Sequence, residues 1–180
     1  ALLVHSNSTL AAADPGAGFS VSVDRGARLR LLDSTLLHAG SIRLRPDGSP
    51  EDQDVAGLTI RARDAVVRGC TFRFGFRVLD VRAAGARIER NRFEHFGTAI
   101  RGYAAAGVVR ENTSLGGGYF LTLEDDSRSW MVSGNRLTHP LDAAVVLRHG
   151  ARGHSILDNR FWRGNTGILV SGEAANLVQR

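Results

Sequence analysis

Short apolar segments recur along the chain at nearly constant spacing, each interrupted by the same polar residue. Ile88-Glu-Arg-Asn91-Arg-Phe93, Val109-Arg-Glu-Asn112-Thr-Ser114, Val132-Ser-Gly-Asn135-Arg-Leu137 and Ile156-Leu-Asp-Asn159-Arg-Phe161 superpose without gaps, with asparagines 21, 23 and 24 residues apart. Val67-Arg-Gly-Cys70-Thr-Phe72 fits one step earlier, and Leu31-Leu-Asp-Ser34-Thr-Leu36 fits after a longer step of 36 residues. Val178-Gln-Arg180 reads as the opening of one more unit. A second segment follows each corner and alternates apolar with polar residues, as half-buried strands do. These segments are Ser41–Leu44, Arg77–Val81, Ala99–Tyr103, Phe120–Glu124, Ala144–Arg148 and Gly167–Ser171, and bends at Ala84-Gly85, Ala106-Gly107, Gly150 and Gly172 trail most of them. A fixed period of this length signals a repeat architecture. A unit of roughly 22 residues holding two or three strands has no room for a helix, which excludes a βαβ fold, and the leucine consensus of a leucine-rich repeat is missing. The expected fold is all-β: a single-stranded right-handed parallel β-helix, a solenoid of about seven to eight coils.

In such a solenoid the coils stack about 4.8 Å apart, so residues at one phase lie over one another. Asn91, Asn112, Asn135 and Asn159 then form an inward ladder at a corner, each amide able to bond its neighbour and the bend backbone. Asparagine also tolerates the left-handed conformation of a sharp bend, and is expected to supply it. Two residues on, Phe72, Phe93, Leu137 and Phe161 make an apolar stack with Ser114 as its gap, and Cys70 takes the ladder position of its coil as a buried structural thiol. The long step between Ser34 and Cys70 is assigned to Pro46–Asp54, a polar stretch inserted as a surface loop. The chain, 1–180, reads as one β-helix domain and one part of a longer solenoid, with further coils expected beyond both ends.

Composition narrows the function only slightly. The net charge is +5 and all 23 basic residues are arginine, a side chain suited to carboxylates, phosphates and aromatic faces. That permits an anionic partner without choosing one. The arginines are spread over every face, which disfavours nucleic acid. No apolar stretch approaches the roughly 18 residues of a membrane span. The only cysteine is Cys70, so no disulfide forms within the chain. The first ten residues lack a basic start and a cleavage site, so they are not an intact signal peptide.

On a β-helix a site is built from successive coils. With the second strands in register, Arg82, Tyr103, Glu124, Arg148 and Ser171 form one outward row, and Asp80, Arg101, Thr122, Val146 and Leu169 the row beside it. Arg82, Arg101, Tyr103, Glu124 and Arg148 are the candidate substrate-binding residues: arginine pairs with uronate carboxylates and tyrosine stacks on a sugar ring. For catalysis, Tyr103, Glu124, Arg148 and His149 are candidates to move a proton or hold a charge. The bland reading is a solvated face with cross-strand ion pairs such as Glu124–Arg148. Asp125 and Asp126 are a faint candidate calcium site; no other cofactor and no other metal is expected. His95 and His139 share a phase but lie two coils apart, too far to grip one ion, and no soft ligand set for copper is present. Trp162 is expected outside as a stacking platform, and Trp130 is open between an outward platform and packing.

The stretches IERNRFEHFGTAIRG (residues 88–102) and ILDNRFWRGNTGILVSG (residues 156–172) resemble the repeats of right-handed β-helix proteins of the pectin-lyase-like superfamily, including NosD-type proteins and the carbohydrate-binding and sugar-hydrolase repeats shared with mannuronan C5-epimerases. The likeness runs from about Gly18 onward. It implies an extracytoplasmic protein, periplasmic or secreted, that binds or processes an acidic polysaccharide, as a lyase or epimerase if catalytic. It equally allows a non-enzymatic accessory protein for copper-enzyme maturation, or a structural or adhesive solenoid. The Asp-Pro-His-Asp signature of the epimerases is absent: neither Asp14-Pro15-Gly16 nor His139-Pro140-Leu141-Asp142 matches it. Asp125-Asp126 is only a weak echo of the aspartate cluster of calcium-dependent pectate lyases, so no catalytic residue transfers by motif.

Overall fold

A computed structural model describes residues 2–13, 18–40, 55–125, 127–171 and 175–179. Ser41–Leu44, Pro46–Asp54, Asp126 and Gly172 lie outside these residues. Every paired strand is parallel to its neighbour, and the described residues contain no helix. The strands wind into a parallel β-solenoid of about six turns, slightly fewer than the seven to eight expected.

Each turn contributes to three faces. The first is an eight-stranded sheet that includes Arg87–Glu89, Val108–Arg110, Met131–Ser133 and Ser155–Leu157. The second carries short strands such as Thr71–Arg73 and Arg92–Glu94, just past the ladder corner. The third carries Val21–Val23, Ala56–Ile60, Arg77–Val81, Thr98–Gly102 and Thr166–Val170. In two coils the second and third faces fuse into one long bent strand, Thr113–Leu123 and Arg136–Leu147, whose pairing slips between Gly117 and Tyr119. The strand that precedes Arg77–Val81 on the third face is Ala56–Ile60, an element the repeat did not reveal because it lies beyond residues 41–54. The two ends of that excursion are adjacent: a Cβ on Gly40 would stand 2.7 Å from the Val55 carbonyl oxygen.

The expected ladder forms with continuous bonding. The Asn112 Oδ1 accepts from the Asn91 backbone N–H at 2.9 Å and from Asn91 Nδ2 at 3.0 Å. Asn112 Nδ2 donates to the Ile88 carbonyl at 2.9 Å and to Asn135 Oδ1 at 3.0 Å. Asn135 repeats the pattern toward Asn159, and Asn91 passes it back to the Cys70 N–H. One expectation is corrected: the left-handed residue is not the asparagine but the one before it, Arg90, Glu111, Gly134 or Asp158, with φ between 53° and 65°. The asparagine is thereby free to turn its amide inward, while the preceding residue, usually polar, makes the bend.

The apolar stack also forms. Phe72 pairs with Phe93, Ser114, Leu137 and Phe161 in unbroken register, and the rings of Phe72 and Phe93 stack 4.9 Å apart. At the Ser114 coil, where a ring is missing, Phe120 of the same coil meets Phe93 edge-on at 5.8 Å. Cys70 is buried, and burial pushes its thiol above the ordinary value, so it is a packing group and not a thiolate.

A second polar ladder was not foreseen. At the corner that leads into the first face, the Trp130 N–H donates to His154 Nδ1 at 3.2 Å and the His154 N–H donates to Asn176 Oδ1 at 3.0 Å. Ala65, Ala86 and Gly107 hold the same position in earlier coils, where no side chain can span the step. Trp130 is therefore inside, 1 % exposed, with Nε1 donating to the Ala104 carbonyl at 2.6 Å; it is not an outward platform. Gly107 lies against its indole, and a Cβ there would stand 2.5 Å from the ring. Gly107→Ala is expected to lower unfolding stability by about 1–3 kcal/mol in urea titration, the usual cost of overpacking against a rigid group; an unchanged midpoint would show that the indole can yield.

Candidate functional site

The third face presents outward rows in the register read from the repeat. Asp80 pairs with Arg101, Arg101 with Thr122, Thr122 with Val146 and Val146 with Leu169. Backbone bonds from Tyr103, Glu124, Arg148 and Ser171 to the preceding coil align those residues as the second row. The inward alternates, Leu79 and Val81 or Leu121 and Leu123, are buried in the core and hold the rows at the coil spacing.

Four of the five candidate binding residues come together. The Arg82 guanidinium lies 4.7 Å from the centre of the Tyr103 ring and that of Arg101 lies 5.4 Å away, so the half-buried ring is flanked by two cations, each worth about 0.5–2 kcal/mol to it. Neither arginine is free. Arg82 Nε and Nη2 both reach Asp80 Oδ2 at 3.0 Å. Arg101 Nε and Nη2 both reach Glu124 Oε2, at 2.7 and 2.5 Å. The expected Glu124–Arg148 ion pair is thus not made: Glu124 turns to the preceding coil. Arg148 instead sits 5.7 Å over the Tyr119 ring and has no carboxylate partner among the described residues. Tyr119 belongs to the same face and was not singled out by sequence.

These contacts set the chemistry. Burial first, and then the Asp80 carboxylate, push the Tyr103 phenol above its ordinary value, so at neutral pH it is a hydroxyl donor and not a phenolate base. Burial works against the Arg101 charge, but the hydrogen bond and charge of Glu124 outweigh it and hold the guanidinium above its ordinary value. Glu124, 5 % exposed, spends Oε2 on Arg101. Asp80, 3 % exposed, keeps one buried oxygen, Oδ1, without a hydrogen-bond partner. His149 is exposed in the following turn at φ 50° and bonds to no member of the cluster.

Other candidates separate from this face. Trp162 is 66 % exposed on the second face. Asp125 is exposed, and its intended partner Asp126 lies outside the described residues; among the described residues no three metal-ligating side chains gather. His95 and His139 do share a phase: both are left-handed corner residues in the column His38, Phe74, His95, Gly116, His139. His38, Phe74 and His95 stack at successive spacings of 5.5 Å. Among the described residues no helix is long and apolar enough to cross a membrane. No protein-family model matches the chain, and no curated protein or solved structure matches it either.

Proposed function

We propose that this chain is an extracytoplasmic, right-handed β-helix of the pectin-lyase-like type that binds an acidic polysaccharide along its third face, at Arg82, Arg101, Tyr103 and Arg148. The observation that carries this reading is the half-exposed Tyr103 ring held between two guanidiniums, with Arg148, which has no carboxylate partner among the described residues, two coils along the same row. A sugar ring stacks on the phenol, and its carboxylate meets Arg148 or displaces the carboxylates from the flanking arginines. Binding is favoured over turnover because Glu124 is held by Arg101, the Tyr103 phenol stays protonated and His149 stands outside the cluster's bonding. Asp80 Oδ1 offers an acceptor for a sugar hydroxyl once Arg82 moves aside.

The test is titration of the protein with polyuronates and with a neutral glucan at low and moderate salt. Polyuronate binding is expected, weakening as salt rises because the contacts are ionic. Arg148→Gln, an outward change, is expected to weaken binding by about tenfold, the loss of one charge-assisted pair, with the melting midpoint unchanged. No increase in ultraviolet absorbance from unsaturated ends is expected. Equal affinity for the neutral glucan, or no polyuronate binding at low salt, would refute the proposal.

A further inference from the structure

The turn that leads from the third face to the first carries a second concentration of charge. The outward position after each third-face strand holds Asp24, Arg61 and Arg82 in three successive coils, aligned by the backbone bonds of Arg61 to Val23 and of Arg82 to Ile60. Beside them a cleft of about 540 Å³ opens, walled by Arg25, Arg28, Arg61, Arg63, Arg82 and Asp64. Its guanidiniums come from three tiers stacked at the coil spacing of about 4.8 Å, so they surround the space from several heights.

Several of the arginines here contrast with the ion-paired ones on the other faces. Elsewhere two cations often share one acid: Arg87 and Arg110 on Glu89, or Arg73 and Arg92 on Glu94. In the cleft, Arg25, Arg28 and Arg63 have no acidic partner among the described residues. Arg61 reaches Ser22 Oγ at 2.7 Å and the exposed Asp24 only at 3.5 Å. Against five guanidiniums stand three carboxylates, Asp64 in the wall and Asp24 and Asp80 behind Arg61 and Arg82. Two positive charges remain uncompensated. The floor is open at Gly26, where an added Cβ would meet no atom within 4 Å, so a ligand can approach the backbone.

We infer that this cleft is a binding site for a phosphate monoester. The charge surplus of two matches the roughly −1.5 to −2 of such a group at neutral pH, whereas one carboxylate would leave a cation unmatched. Planar guanidiniums offer paired donors to phosphate oxygens. The volume falls within the range of small-molecule sites, about 300–1,000 Å³, which leaves room for the organic part, such as a sugar, beside the phosphate. The cleft adjoins the glycan face and shares Arg82 with it, but Arg25, Arg28, Arg61 and Arg63 take no part in that proposal.

The test is calorimetric titration at constant ionic strength with a sugar monophosphate, with inorganic phosphate and with acetate, using the wild type, Arg25→Gln and Arg63→Gln. Both residues are exposed, so the variants are expected to melt as the wild type does, and polyuronate binding should be unaltered in both. The sugar monophosphate is expected to bind saturably, inorganic phosphate more weakly, and acetate not at all. Each variant should weaken the phosphate ligands about tenfold. Equal binding of both phosphate ligands would assign the site to free phosphate and still support it. Absence of saturation by either, a response to acetate equal to that to phosphate, or wild-type affinity in both variants would overturn the inference, whatever the outcome with polyuronates.

Discussion

Asn112→Ala is expected to destabilise the protein by about 3–5 kcal/mol. Asn112 is 0 % exposed and makes four bonds, two accepted from Asn91 and two donated to Ile88 and Asn135. Alanine leaves the Asn91 N–H, the Ile88 carbonyl and Asn135 Oδ1 each short of a bond in a site water does not reach, and an unsatisfied buried group costs roughly 1–3 kcal/mol. Relaxation recovers part of that sum. The same change at Asn159, which is only partly buried, should cost less than half as much. Urea unfolding of the two variants reads both values. A loss under about 1 kcal/mol at Asn112 would mean that the corner backbone finds other partners, and the ladder would then be a consequence of the fold and not one of its supports.

Stability is expected to fall by up to about 3 kcal/mol between pH 6.5 and pH 4 on account of His154 alone. Its Nδ1 must be unprotonated to accept the Trp130 N–H, and the ring is 1 % exposed. Burial, opposed only by a contact with Ser127, lowers its pKa from the ordinary 6.5 to about 4. The direction follows. Above pH 6.5 the ring is neutral in both folded and unfolded chains, and pH has no effect through it. Between 6.5 and 4 the unfolded chain takes up a proton that the folded one refuses, so stability drops as pH falls. Below about 4 both are charged and the loss levels off. His154→Asn keeps an acceptor at the position that asparagine fills in the first ladder and cannot titrate. Unfolding at pH 7.5 and 4.5 should therefore separate wild type from variant by about 2–3 kcal/mol in their pH response. Parallel responses would place the acid sensitivity in the carboxylates instead.

Much of the candidate site was legible from spacing. The rows through Asp80–Arg101–Thr122 and Tyr103–Glu124–Arg148 follow from a constant coil length and a two-residue alternation, and both appear in the register read from the repeat. The choice of partners was not legible. Glu124 has Arg148 beside it in its own row in the next coil and Arg101 diagonally across in the preceding coil, and periodicity cannot say which one it takes. Tyr119 decides part of it by offering Arg148 an aromatic face. The arginine cleft escaped notice because most of its residues lie in the turns between the third and first faces, outside the strands from which the rows were read.

The sequence by itself determined the solenoid, the asparagine ladder and the phase of the Phe72–Phe93 stack, because stacking makes equal spacing in the chain equal position in space. Only the tertiary structure decided that Trp130 faces inward against Gly107, that the bend residue precedes each asparagine, and that Phe120 reaches Phe93 in the coil of Ser114. Those outcomes depend on volume and on side-chain reach across the column, and a residue's phase in the repeat carries neither.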